Sequence, residues 1–259
     1  MQSAEPQLRH LRPSFAVLAM TFYVAMLIAF VSWLLADPVA EEQMTLLRDG
    51  SASMNFVSAT EVMIESVGET RVWMMGIACA ALVAFTVLVG LRFCMRRQFS
   101  LRQMLTTTAL IGAWCGALVA SHQITWSGKR IRAMFRVDAL EQLAQTLHHD
   151  WPQADGEIEG LGPFNAYPSV RPSVLLLLTP FPLQGTDTVI AAIERGSNGA
   201  LRFQLGGKDG GDWIEWHDAS SLPASFKGGL ADDHQLQRFS EIGPNWYLVR
   251  YTDEQTQSG

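Results

Sequence analysis

Two short spacings in this chain carry the residue types of a metal site. Glu215 and His217 stand two residues apart in "GGDWIEWHD" (210–218), and Asp232 and His234 repeat that spacing downstream. In a β-strand, residues i and i+2 share a face, so each pair would project together. Two imidazoles and two carboxylates brought into one place would suit zinc or another divalent ion, and the chemistry would be metal-dependent hydrolysis on a membrane tether. The competing expectation is structural. Ile214 and Trp216 enter a core, while Trp213, Glu215 and His217 occupy a solvated face.

Other candidates are weaker. His148, His149 and Asp150 close a helix, where cations are favoured by the C-terminal dipole. Asp155, Glu157 and Glu159 in "DGEIEGLGPFNAYP" could pair as carboxylates but read as a solvated loop. The glycine-rich "GGKDGG" (206–211) lacks the phosphate-loop spacing and leads from strand to strand, so it reads as a hairpin loop. No serine lies in GxSxG, and the three cysteines, Cys79, Cys94 and Cys115, fall within or at the ends of apolar runs. No catalytic residue and no cofactor is therefore assigned.

The elements that must position these residues divide the chain. Residues 1–137 hold 12 Lys/Arg against 8 Asp/Glu, whereas residues 138–259 hold 7 against 17. A tail this acidic has no basic stripe for phosphates, which excludes nucleic acid as a partner.

The first part contains three uncharged stretches: 14–36, 72–91 and 104–126. Each is long enough to cross about 30 Å of hydrocarbon. The first exceeds the apolar length of a signal peptide, so it reads as a retained span. Arg92, Arg96, Arg97 and Arg102 crowd the short connection between the second and third, which places that loop and the N-terminus in the cytoplasm and the C-terminal domain outside it. Lys129, Arg130, Arg132 and Arg136, directly after the third stretch, oppose this orientation. The expected location is integral to the plasma, or bacterial inner, membrane.

Small residues recur at helical spacing in two spans: Gly76, Ala80 and Ala84, then Gly112, Gly116 and Ala120. Such faces let helices approach closely in lipid. The first expectation is a hairpin of spans two and three within one chain, with a homo-oligomer or partner helix as the alternative.

The expected organisation is a three-span region over 1–128 with a helical extramembrane loop at 37–71, an amphipathic linker helix over 129–150 lying first along the membrane surface, and a soluble α+β domain over 151–259. In the loop, Asp37 caps, Pro38 starts a helix and Asp49-Gly50 ends it. In the tail, about five antiparallel strands are expected: "SVLLLLT", "DTVIAAIER" and "ALRFQL" joined at Asn198-Gly199, "DWIEWH", and "LQRFSEI" with "NWYLVRY" across Gly243-Pro244. With catalytic and transport signatures missing, the function expected is that of a membrane-anchored, non-catalytic accessory or assembly subunit, or a sensor, contacting the lipid bilayer and a protein partner. Trp213 and Trp246 are the aromatics to test for that contact, with burial in the core as the competing expectation for each.

Overall fold

The structure is a computed structural model that describes residues 15–53, 64, 68–95, 101–183, 188–207, 211–218 and 221–253. It splits into two compact units, Met1–Ala36 with Ala40–Ile124, and Asp37–Val39 with Thr125–Gly259.

The first unit is helical. Its helices among the described residues are α1 (Phe15–Ala36), α2 (Ala40–Ser53), α3 (Glu69–Met95) and α4 (Leu101–Val119). Two segments, Val17–Ala36 and Glu69–Leu91, are long and apolar enough to cross a membrane. A third counts only if α4 and the next helix, α5 (Ser121–Met134), form one bent span. The expected third span, running unbroken to Trp126, is thus corrected: the helix bends at Ala120, where the apolar run gives way to Ser121, His122 and Gln123. In the α2 region, the Val39 N–H donates to Asp37 Oδ1 (3.1 Å) as a cap should, but α2 runs through Asp49-Gly50 instead of ending there. Residues 54–63 and 65–67 of the helical loop expected over 37–71 lie outside the described residues.

Aromatic side chains on α1 hold this unit together. Phe22 packs on Phe85 of α3 at 4.2 Å between centroids, Tyr23 donates to Thr86 Oγ1 (2.9 Å), and Phe30 meets Trp114 of α4 at 5.6 Å. Gly76, Ala80, Ala84, Gly112 and Gly116 are exposed, Ala120 is half-buried, and nothing lies within 4 Å of a Cβ built at Gly76, Gly112 or Gly116.

The second unit places α5 and α6 (Val137–His149) on one face of a nine-stranded antiparallel sheet. The strands are β1 (Gly156–Ile158), β2 (Gly162–Tyr167), β3 (Val174–Pro182), β4 (Thr188–Arg195), β5 (Leu201–Gly207), β6 (Asp212–Trp216), β7 (Phe226–Lys227), β8 (Asp233–Gly243) and β9 (Trp246–Asp253). Their order is β1-β2-β3-β4-β5-β6-β9-β8-β7, so β9 inserts beside β6 and leaves only three-residue β1 and two-residue β7 at the edges. Short edges offer few unpaired backbone groups to another chain.

The linker is two helices, not one, because the chain turns at Phe135-Arg136. Trp126 and Ala133 of α5 and Leu140, Ala144 and Leu147 of α6 close over Leu175, Ile193, Phe203, Ile214 and Trp246. The β4–β5 hairpin forms as its turn residues demand, although Gly199 alone takes the positive φ (82°) while Asn198 Oδ1 accepts from the Ala200 N–H (3.2 Å). Three strands, β1, β2 and β7, lie outside the six segments expected as strands. β1 and β2 occupy the stretch read as a solvated loop, where Phe164 and Ala166 are buried between exposed neighbours. Asp155 there is a structural acceptor, its Oδ1 taking the Ala166 N–H at 2.7 Å.

Candidate functional site

β6 sends Ile214 and Trp216 into the helix-covered core, and Trp213 and Glu215 to the opposite face, with His217 just past its end. That opposite face is not solvated. Trp213 is 6% exposed, and Glu215 and His217 are wholly buried. The reason is tertiary: the segment from Ser221 to β7 folds back across the sheet, tied down where Ser221 Oγ meets His217 Nδ1 (3.1 Å) and Ser225 Oγ accepts the Leu236 N–H (2.9 Å). Beneath it Trp213, Val249 and Tyr251 form a second core with Phe226, Leu236 and Tyr247.

Register creates a charged row on this face. Glu194 of β4 pairs with Arg202 of β5, which pairs with Glu215 of β6, which pairs with Tyr247 of β9. Arg202 Nε stands 3.4 Å from Glu215 Oε1, and its guanidinium lies 3.7 Å from the centroid of Phe226. The Tyr251 hydroxyl donates to Glu215 Oε1 (2.7 Å), and His217 Nε2 donates to Glu215 Oε2 (2.7 Å), the tautomer following from the carboxylate acceptor. Burial, reinforced by the adjacent Glu215 charge, pushes the Tyr251 phenol up, so it stays protonated as a donor. Arg202 and Tyr251 are members of this site that the sequence reading missed. Counting outward from Asn198-Gly199 as a two-residue turn sets Arg202 opposite Arg195, whereas the register of the structure, centred on Asn198, sets it opposite Glu194.

Asp232 and His234 lie on the same side of the sheet but form a separate pair, His234 Nε2 to Asp232 Oδ2 at 2.8 Å. The His234 ring sits among Phe226 (4.7 Å), Trp213 (5.4 Å) and Tyr251 (5.8 Å). Among the described residues, no three His, Cys, Asp or Glu side chains converge to hold a metal ion. The four candidates therefore do not form one ligand shell.

A cavity of about 70 Å³ opens beside the row, lined by Val174, Leu176, Ala192, Glu194, Gln204, Trp213, Leu230 and Asp232. Glu194 Oε1 accepts the Gly229 N–H at 3.1 Å. Burial pushes the Glu194 carboxyl up to about 7, against the opposing pull of Arg202 and the Gly229 N–H, with Asp232 and Glu215 adding to the rise. A group in this state exchanges a proton near neutrality.

The other face carries a clamp between helix and sheet. Lys129 Nζ donates to Asp212 Oδ2 (2.6 Å), and Arg250 donates to both Asp212 oxygens (2.6 and 2.9 Å). Arg238 and Arg250 place their guanidinium carbons 4.8 and 5.0 Å from the Trp126 ring, whose Nε1 donates to Ser240 Oγ (2.9 Å). Trp246 Nε1 donates to Glu141 Oε2 of α6 (2.6 Å). Trp213 and Trp246, the aromatics to test for partner contact, are both buried, at 6% and 1% exposure, as the competing expectation of core burial has it. Large apolar side chains that are exposed in this unit include Val170 (82%), Leu222 (62%) and Leu230 (53%). Comparison with protein-family models, with curated proteins and with solved structures finds no match to this chain.

Proposed function

We propose that this chain is a membrane-anchored, non-catalytic protein, an accessory or assembly subunit or a sensor, that presents its second unit for protein interaction. The observation carrying this reading is the state of Glu215: Tyr251 and Arg202 approach one oxygen and His217 the other, so the most chemically suggestive group in the chain is spent inside the fold. The candidate spans supply the anchor. We place the protein in the plasma, or bacterial inner, membrane with the N-terminus cytoplasmic and the second unit outside. The basic residues that opposed this orientation have a fold-level reason to stand where they do: Lys129 pairs with Asp212 and Arg136 donates to Thr188 Oγ1 (3.2 Å).

The test uses photo-crosslinkers at Val170, Leu222 and Leu230 in the full chain in its native membrane. The expected result is a discrete adduct with one protein, lost when a glutamate is placed beside the crosslinking position. One tightly held divalent metal in the purified chain, released by His217→Ala, would overturn the reading in favour of the hydrolase. Reporter fusions after residues 100 and 255 test the orientation, and a cytoplasmic reporter at the second position would reverse it.

A further inference from the structure

At its C-terminal end the outward side of α5 turns apolar, after the exposed His122, Gln123, Ser127 and Arg130. Its inward face carries Trp126, Lys129 and Ala133, all buried. About 100° per residue puts Ile131, Met134 and Phe135 on the opposite side, and they are 47%, 48% and 84% exposed. Phe135 sits where the chain turns into α6, beside Arg136, which is buried and donates to Thr188. The turn is thereby fixed with the phenyl ring pointing away from the unit's own core.

We propose that Ile131, Met134 and Phe135 form a wedge that enters the interfacial zone of the lipid bilayer. The inference rests on the reading of the apolar helices as membrane spans. Chain continuity identifies the occupant: α4 ends at Val119, and Ile131 to Phe135 follow twelve to sixteen residues later in the chain, past the 61° bend between α4 and α5. The flanking charges agree with it. Arg130 and Arg132 neighbour the three apolar residues, and a basic border around an apolar face is the pattern of helices that lie in the plane of anionic headgroups. Arg130 is exposed while its Nε donates to the Glu241 carbonyl (3.0 Å), so the sheet's β8 is tied to the edge that would meet lipid.

The experiment is depth-dependent quenching on the full chain, reconstituted into phosphatidylcholine/phosphatidylglycerol vesicles. Single cysteines at Ile131, Met134 or Phe135, in a background with Cys79, Cys94 and Cys115 replaced by Ala, carry an environment-sensitive fluorophore. Val83 of α3 serves as the in-bilayer control, and exposed Gln142 of α6 as the aqueous one. Headgroup-proximal spin-labelled lipid is expected to lower emission at 135 by about half, with 131 and 134 following and 142 unchanged. Quenching at Val83 with none at 135 would overturn the wedge while leaving the spans in place. No quenching at Val83 by lipid spin-labelled near the end of its acyl chain would overturn the anchoring reading itself. Protection at 135 that rises with protein density and ignores the spin label would assign the face to a second copy of the chain and overturn the lipid assignment.

Discussion

Arg202 and Glu215 face each other across β5 and β6, Nε to Oε1 at 3.4 Å, with both side chains at most 6% exposed. A buried pair of this kind contributes little net stability but is costly to break, because either partner left alone is an uncompensated charge. Glu215→Ala in the full chain is expected to lower unfolding free energy by about 3 kcal/mol or more, and Arg202→Met by a similar amount. The double variant should recover part of the loss. Denaturant titration followed by tryptophan fluorescence measures both, and fully additive losses would show that the two residues do not act as a pair.

Glu194 makes stability depend on pH in a defined direction. Burial pushes its carboxyl up to about 7 in the folded chain from an ordinary value of 4.5, so between those values the folded state binds more protons than the unfolded state. Stability is therefore full below about 4.5 and falls as pH rises through about 7, the reverse of an ordinary salt-bridged carboxylate. Glu194→Gln keeps an acceptor for Gly229 and should remove this slope. Thermal unfolding across the interval checks it, and an unchanged slope in the variant would assign the dependence to other groups.

Asp212 should matter more than either of its cations. It is 1% exposed and takes three charged hydrogen bonds, so Asp212→Ala strands Lys129 and Arg250 together and is expected to cost about 3 to 5 kcal/mol. Lys129→Met leaves the bidentate Arg250 contact in place and should cost clearly less. Equal losses would contradict the clamp.

Gly112 and Gly116 test whether the small-residue face serves a partner. Among the described residues nothing lies within 4 Å of where a Cβ would stand at either position, so Gly112→Val with Gly116→Val should leave helicity by circular dichroism unchanged. The proposed association through this face predicts a smaller particle by light scattering in detergent. A wild-type chain that is already monomeric would remove the basis for it.

Much of the architecture is legible from local chemistry. The apolar runs locate α1 and α3, the turn residues locate the β4–β5 and β8–β9 hairpins, and strand alternation assigns Ile214 and Trp216 to the core. The errors occur where local and tertiary signals diverge. The third apolar run reads as one unbroken helix, because hydropathy registers neither the 61° bend after Val119 nor that Trp126 is claimed by Ser240, Arg238 and Arg250 more than a hundred residues away. β2 is obscured by Pro163 and Asn165 between its buried residues. Trp213 and Trp246 look equally free in the sequence, yet opposite faces of the sheet bury them.

The sequence by itself determined that this chain carries apolar segments of membrane-crossing length, an acidic antiparallel domain, and the i, i+2 spacing that puts Glu215 beside His217. Those follow from composition and from the periods of helix and strand, which are local. Only the tertiary structure decided what Glu215 meets. Strand order set Arg202 and Tyr247 on either side of it and brought Tyr251 within hydrogen-bonding distance, and the fold-back of the segment after β6 removed the water. The same long-range register left Asp232 and His234 as a pair of their own, because pairing across strands, unlike spacing along one, depends on every turn between them.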